Sequence, residues 1–264
     1  MLLREVEYAK PTSIAEALTA LAAHDGARAL AGGQTLINVM KARAASPDVL
    51  VDLNGLDELK GIDLAADGTL TIGAMTTYTD IVRSAEAKAR PILGEVCATI
   101  ADVQVRNRGT IGGNVCSNDP TNHLPPLMVA VGATMTIVGA GSERVVSAEE
   151  FFLGVYMTAV GPGELLTKIC IPAGKKDGFA AVTLGADGTC LANAAATVNG
   201  SVRVALGCVD AVPVVIHADS PDGVADAVRA AGIDPPSDVH ASAAYRAHLT
   251  EVVATRAAKE AAAR

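Results

Sequence analysis

The sequence predicts an α+β fold arranged in two regions. Three observations carry that expectation. Apolar segments of helical period alternate with short strand-like runs over roughly residues 1–172. Turn dipeptides such as Asn54-Gly55 and Asp67-Gly68 separate several of those runs. From about residue 173 the texture changes to long strand-like stretches followed by alanine-rich helices. The expected domains are therefore 1–172, itself divided at about residue 55 into 1–55 and 56–172, and a smaller α+β domain at 173–264.

In chain order, "EVEYAKP" alternates as a strand. "SIAEALTALAAH" puts Ile14, Leu18 and Leu21 on one helical face behind Thr12 or Ser13 as N-cap. "ARAL" reads as a strand ending at Gly32-Gly33. "TLINVMKARAA" reads as a helix that Pro47 cannot let continue. "DVLVDLNGL" and "LTIGAMTT" are strands, "TDIVRSAEAKA" is a helix, and a further helix runs from Pro91 to about Ala101. "LPPLMVAVGATMTIVGAGSERVVS" reads as helix, strand, turn, strand. "FFLGVYMTAVGPGELLTKICIP" closes the larger region. Beyond it, strands are joined by "ADG" and "NG" turns. "VADAVRAA" and "EVVATRAAKEAAAR" are helices, the last eight residues expected to fray.

Composition narrows the function. Half of the 264 residues are hydrophobic but only 3% are aromatic and none is Trp, so the core is built of Ala, Val, Leu and Ile. The net charge is −8 and no Lys/Arg-rich run exists, which argues against nucleic acid and anionic membranes as partners. No apolar run reaches the ~18 residues of a membrane helix. The amino terminus has Glu5 and Glu7 where a signal peptide would need an apolar stretch. Cys97, Cys116, Cys170, Cys190 and Cys208 lie 19, 54, 20 and 18 residues apart, with no CxxC pair. The odd count without a secretion signal argues for reduced thiols in a cytoplasm and against an iron–sulfur cluster or zinc site within this chain. The five histidines are dispersed, no GxSxG or HExxH occurs, and Met75, Met128, Met135 and Met157 read as core filler.

Two glycine loops remain as candidate chemistry. "AGGQT" (Ala31, Gly32, Gly33, Gln34, Thr35) follows a strand and opens a helix. Free N–H groups and the helix dipole favour an anion there, and glycine lets it approach the backbone. "TIGGN" (Thr110, Ile111, Gly112, Gly113, Asn114) offers closely spaced amides with a hydroxyl and a carboxamide. Asp119 lies five residues on, as an acceptor for ribose or ribityl hydroxyls, and Arg106 and Arg108 lie just before. Taken singly, each loop is more often a tight turn than a ligand site. Together they could clamp one pyrophosphate from two sides. No GxGxxG occurs, so the arrangement is not of the Rossmann type.

Three ordered blocks, "AGGQTLINVMKARAASPDVLVDLNGLDELKGI", "LTIGAMTTYTDI" and "IADVQVRNRGTIGGNVCSNDPTNHLPPLMVAVGATM", resemble the FAD-binding medium subunit of molybdenum hydroxylases. This is the xanthine dehydrogenase and carbon monoxide dehydrogenase group, with a flavin domain of the PCMH (vanillyl-alcohol-oxidase-like) type. The resemblance covers about residues 1–172, and the family carries its own small domain where residues 173–264 stand. It implies noncovalent FAD with its pyrophosphate between Ala31–Thr35 and Thr110–Asn114. It also implies that Leu36, Thr76, Thr77, Ile100 and the Leu165/Leu166 pair line the cofactor. His123 stands where the family usually has a carboxylate that contacts FAD, and Phe179 stands without the Lys and paired Arg that usually follow it. The implied partners are a large molybdopterin-binding subunit and a small subunit with two [2Fe–2S] clusters, as a dimer of heterotrimers. Electrons would reach FAD from the clusters and leave to an external acceptor. A stand-alone PCMH-type flavin oxidase and an FAD-free assembly subunit are the competing readings. No substrate base is evident in this chain to support the first.

Overall fold

The computed structural model describes residues 3–185 and 188–264. The "ADG" turn lies partly outside the described residues. Three sheets organise the chain. The first takes β1 (Glu7–Ala9), β2 (Ala27–Leu30) and β3 (Val49–Asp52), with α1 (Ile14–Ala22) and α2 (Leu36–Lys41) as crossovers. Its order is β1-β3-β2, all parallel. Ser13 caps α1 by accepting from the Glu16 amide at 3.2 Å, and Leu18 and Leu21 are buried beneath it.

The second region holds β4 (Ile62–Leu64), β5 (Leu70–Gly73), α3 (Tyr78–Arg83), α4 (Ile92–Thr99), α5 (Val103–Arg106), α6 (Ile111–Ser117) and α7 (Leu124–Ala130). It continues with β6 (Thr134–Gly139), β7 (Ser142–Ser147), α8 (Ala148–Phe151), β8 (Phe152–Gly154), β9 (Met157–Thr158) and β10 (Leu165–Ile171). The sheet order is β4-β5-β10-β6-β7, antiparallel throughout. The largest apolar core lies against it, with Leu93, Ile111, Leu127, Phe151 and Ile169 fully buried.

The third region is a meander of β11 (Asp177–Thr183), β12 (Cys190–Asn199), β13 (Ser201–Gly207) and β14 (Val214–Ala218), followed by α9 (Val224–Ala230) and α10 (Ala243–Ala263). Helix α10 packs on one face of β12 and α7 on the other, so this central strand is apolar almost end to end. Arg90 fixes the third region to the second. Its Nε and Nη2 each lie 2.8 Å from the Asp177 carboxylate in a buried pair, and its Nη1 donates to the Pro172 carbonyl.

Four expectations are corrected. Helix α2 stops at Lys41 because Arg43 adopts a left-handed φ of 64°, well before Pro47. Ala101 at φ 43° likewise lies outside α4, which ends at Thr99. The final residues do not fray: Ala257, Ala258 and Ala261 are fully buried, and Arg264 pairs with Glu95 at 2.5 Å. Met157 is no core filler, being 60% exposed in the β8–β9 hairpin, whereas Met75, Met128 and Met135 are buried.

Candidate functional site

The parallel β2 strand delivers the chain to Ala31–Thr35, where it must turn into α2. Gly33 makes that turn at φ +74°, a conformation that side chains other than glycine rarely adopt. Asn54 holds the loop by donating from Nδ2 to the Ala31 carbonyl at 3.1 Å, and Asp52 orients Asn54 in turn. The amides of Gly32, Gly33, Gln34 and Thr35 donate to no protein acceptor among the described residues. Thr35 at the N-cap makes no side-chain capping bond either. Gly32, Gly33 and Gln34 line a cleft of ≈ 250 Å³ whose walls also include Asn38, Lys41 and Arg108. A row of free amides flanked by two cations is suited to an anion.

The second loop differs from expectation. Its amides are already used: Ile111 N donates to Thr76 O at 3.0 Å, Gly112 N to Ala74 O at 2.9 Å, and Asn114 N to Thr110 O at 3.1 Å. Gly113 N is taken by the capping Thr110 Oγ1 at 3.0 Å. Gly112 is fully packed, and a Cβ there would sit 2.6 Å from the Ala74 carbonyl. Gly113 is helical, so no positive φ requires glycine there. The loop is a wall built tightly on the β5–α3 connection, to which a Thr77–Thr110 bridge also ties it.

The two walls touch. A Cβ on Gly32 would lie 2.2 Å from the Arg108 carbonyl oxygen, and one on Gly113 would lie 3.4 Å from the Ala31 methyl. Asn114 Oδ1 is buried and has no hydrogen-bond partner among the described residues.

The other expected residues fall in distinct places. Thr76 is buried and donates to the Gly61 carbonyl at 3.0 Å, and Thr77 caps α3 in a box with Asp80. Leu166 lies in the core, 5% exposed, and Leu36 and Ile100 are half-buried. Arg106 donates from Nη1 to the carbonyls of Ile100 and Ala101. Asp119 already accepts from Thr121 N at 2.9 Å, Thr121 Oγ1 at 2.8 Å and Tyr156 Oη at 3.1 Å. His123 faces the third region: its ring centroid is 5.2 Å from that of Phe179, and Nδ1 is 3.3 Å from Asn193 Nδ2. Asn38 and Lys41 join the cleft without having been expected there. Their spacing from Gln34, four and seven residues along one helical face, is the signal in the sequence that points to them.

With this geometry in hand, known proteins supply the context. Residues 4–174 match the family described as "FAD binding domain in molybdopterin dehydrogenase". The chain is 34% identical over 276 aligned positions to the glyceraldehyde dehydrogenase medium chain of Sulfolobus acidocaldarius, covering 97% of this chain and 98% of that one. It is 45% identical over 169 positions to the carbon monoxide dehydrogenase medium chain of Afipia carboxidovorans, covering 63% of this chain and 58% of that one. Among solved structures it is similar to a chain of carbon monoxide dehydrogenase from Hydrogenophaga pseudoflava, at a TM-score of 0.91 and 34% identity over 100% of this chain and 99% of that one. A chain of quinoline 2-oxidoreductase from Pseudomonas putida 86 gives 0.92 and 32%, with the same coverage.

Proposed function

Because this chain belongs to the FAD-binding family of molybdopterin dehydrogenases, we propose that it is the electron-transferring FAD subunit of a multisubunit molybdenum hydroxylase. The observation that carries the site assignment is the row of free amides at Gly32–Thr35, of which Gly32, Gly33 and Gln34 line the cleft together with Asn38, Lys41 and Arg108. The residues fit the group. Gly32, Gly33, Gln34 and Thr35 bind the FAD pyrophosphate through backbone N–H, and Lys41 and Arg108 offset its charge. Asn114 Oδ1 accepts from a cofactor hydroxyl. At ≈ 250 Å³ the cleft suits a diphosphate and its neighbouring atoms, being smaller than the ~300–1,000 Å³ of a site that encloses a whole drug-sized ligand. Asp119, His123, Leu36, Thr76, Thr77, Ile100 and Leu166 belong to the same reading as outer lining or support, across residues 1–172, with 173–264 as a separate covering domain.

Bound there, FAD supplies reversible two-electron chemistry. This chain's own work is to hold it noncovalently and to limit water at its edge. No group of three or more His, Cys, Asp or Glu side chains among the described residues could hold a metal ion. That supports a division of labour in which a small partner subunit carries two [2Fe–2S] clusters and a large one carries molybdopterin, paired as a dimer of heterotrimers. In this reading electrons would reach FAD from those clusters and leave to an external acceptor. Five cysteines without a disulfide suit the cytoplasm, and no helix among the described residues is long and apolar enough to cross a membrane.

Co-expression and purification with candidate large and small subunits tests this. The expected result is a yellow complex with one flavin per chain, released intact as FAD on acid denaturation. A colourless chain that neither takes up FAD nor joins the other two subunits would overturn it.

A further inference from the structure

The glycines that open the first loop also free its peptide planes. With no Cβ at Gly32 or Gly33, a plane can rotate at little cost and turn its N–H away from the cleft. Other groups in the chain must set those planes. The peptide bonds of the described residues are all trans, so each C=O points opposite to the N–H of the next residue. Whatever holds a carbonyl therefore aims the amide that follows it. Every loop carbonyl from Ala31 to Gln34 is held. Asn54 Nδ2 donates to Ala31 O at 3.1 Å, and Gln34 Nε2 to Gly32 O at 3.2 Å. Ile37 N donates to Gly33 O at 3.2 Å, and Asn38 Nδ2 to Gln34 O at 2.7 Å. The amides that follow, on Gly32, Gly33, Gln34 and Thr35, are the four without a protein acceptor among the described residues. Asn54 and Gln34 serve Gly32 and Gly33, both of which line the cleft.

Asn54 is itself set in place. Its Nδ2 reaches Asp52 Oδ1 at 2.6 Å as well as Ala31 O, and its backbone N donates to the same carboxylate oxygen at 2.9 Å. A carboxylate and a carbonyl are both acceptors, so the carboxamide must present its NH2 to them. Asp52 is buried at the carboxyl end of β3, and its other oxygen accepts from Tyr8 Oη on β1. A side-chain ladder thus crosses the end of the parallel sheet, from Tyr8 through Asp52 and Asn54 to the loop.

We propose that Asn54 and Gln34 are positioning residues for the cofactor, each fixing one peptide plane so that the N–H of Gly32 or Gly33 is already aimed at the FAD diphosphate. This rests on the FAD reading above and deepens it. Neither side chain has to touch the cofactor. Their work is done before FAD arrives, because the loop is ordered on folding rather than on binding. In this role Gln34 spends a side-chain donor on the Gly32 carbonyl and meets the diphosphate through its backbone.

The test is nitrogen-15 relaxation of the full chain labelled at glycine, without and with FAD, beside titrations with FAD and ADP. In the FAD-free wild type the Gly32 and Gly33 amides should be as rigid as ordered backbone, with order parameters of about 0.85. Asn54→Ala should loosen Gly32 and leave Gly33 rigid. Gln34→Ala should loosen Gly33 and leave Gly32 rigid. Saturating FAD should restore order in both variants. Each variant should weaken FAD and ADP alike, by roughly 2- to 12-fold, the equivalent of one neutral hydrogen bond. A merely structural role would not give that crossed pattern. Loosening of both glycines together, or wild-type affinity in both variants, would overturn the positioning role and leave the FAD reading intact. A wild-type chain that takes up neither FAD nor ADP would overturn the FAD reading, and this role with it. Asn54→Ala also removes a donor from buried Asp52. Should that variant not fold, Gln34→Ala, made at a half-buried side chain, decides alone.

Discussion

The two Gly-Gly loops contain the same dipeptide and leave its amides in opposite states. At Gly32-Gly33 the N–H groups stay open even though Gly32 packs on the Arg108 backbone: four consecutive amides have no protein acceptor among the described residues, and Gly33 takes φ +74°. At Gly112-Gly113 the amides are consumed within the protein. Every amide from Ile111 to Asn114 is bonded within the protein, and Gly112 packs on Ala74 with no space for a methyl. One loop presents donors and the other is masonry that keeps those donors in place. A glycine pair in a sequence therefore does not say which side of the backbone the space serves.

The sharpest way to break this contrast is Gly112→Val. Its side chain would meet the Ala74 backbone, which cannot swing aside as a side chain would. The expected cost is about 3 kcal/mol or more, or roughly a 6–12 °C drop in Tm for a chain of this size. Thermal unfolding of the FAD-free protein measures it, and a Tm unchanged from wild type would show that the second loop is not tightly built. Gly33→Val should act on binding instead. Strain of ~1–3 kcal/mol at positive φ biases the loop away from the binding conformation, weakening FAD by roughly 5- to 150-fold. Smallest is Lys41→Gln, which removes an exposed cation from the cleft wall. A loss of about two- to five-fold is expected at low ionic strength, shrinking as salt is added. A loss that salt does not change would mean Lys41 makes a desolvated contact instead.

Much of this architecture is legible in the sequence. Strands β2 and β3, the β6–β7 hairpin and the alanine-rich terminal helix follow from local period and turn residues, and the ordered motif blocks indicate the family. What escapes is non-local. Nothing near Gly112 says that its amide will be claimed by Ala74, 38 positions away. Nothing near His123, at the start of α7, says that its ring will meet Phe179 and Asn193 of the third region's sheet. The apolar period of α2 continues past Lys41 and so overstates the helix, because the backbone reverses hand at Arg43. The burial of the last turn of α10 depends on a sheet that its own alanines do not reveal.

If the first loop's open backbone holds the cofactor, the most direct test is FAD titration of Gly33→Val beside Gly200→Val. Gly200 lies in the β12–β13 hairpin at φ +77°, and a Cβ added there would meet nothing within 4 Å. Both variants carry similar backbone strain, and only one lies on the cleft. Gly33→Val should lose FAD affinity roughly 5- to 150-fold while Gly200→Val binds as wild type does. Equal affinity in the two variants would contradict the assignment of the cofactor to this loop.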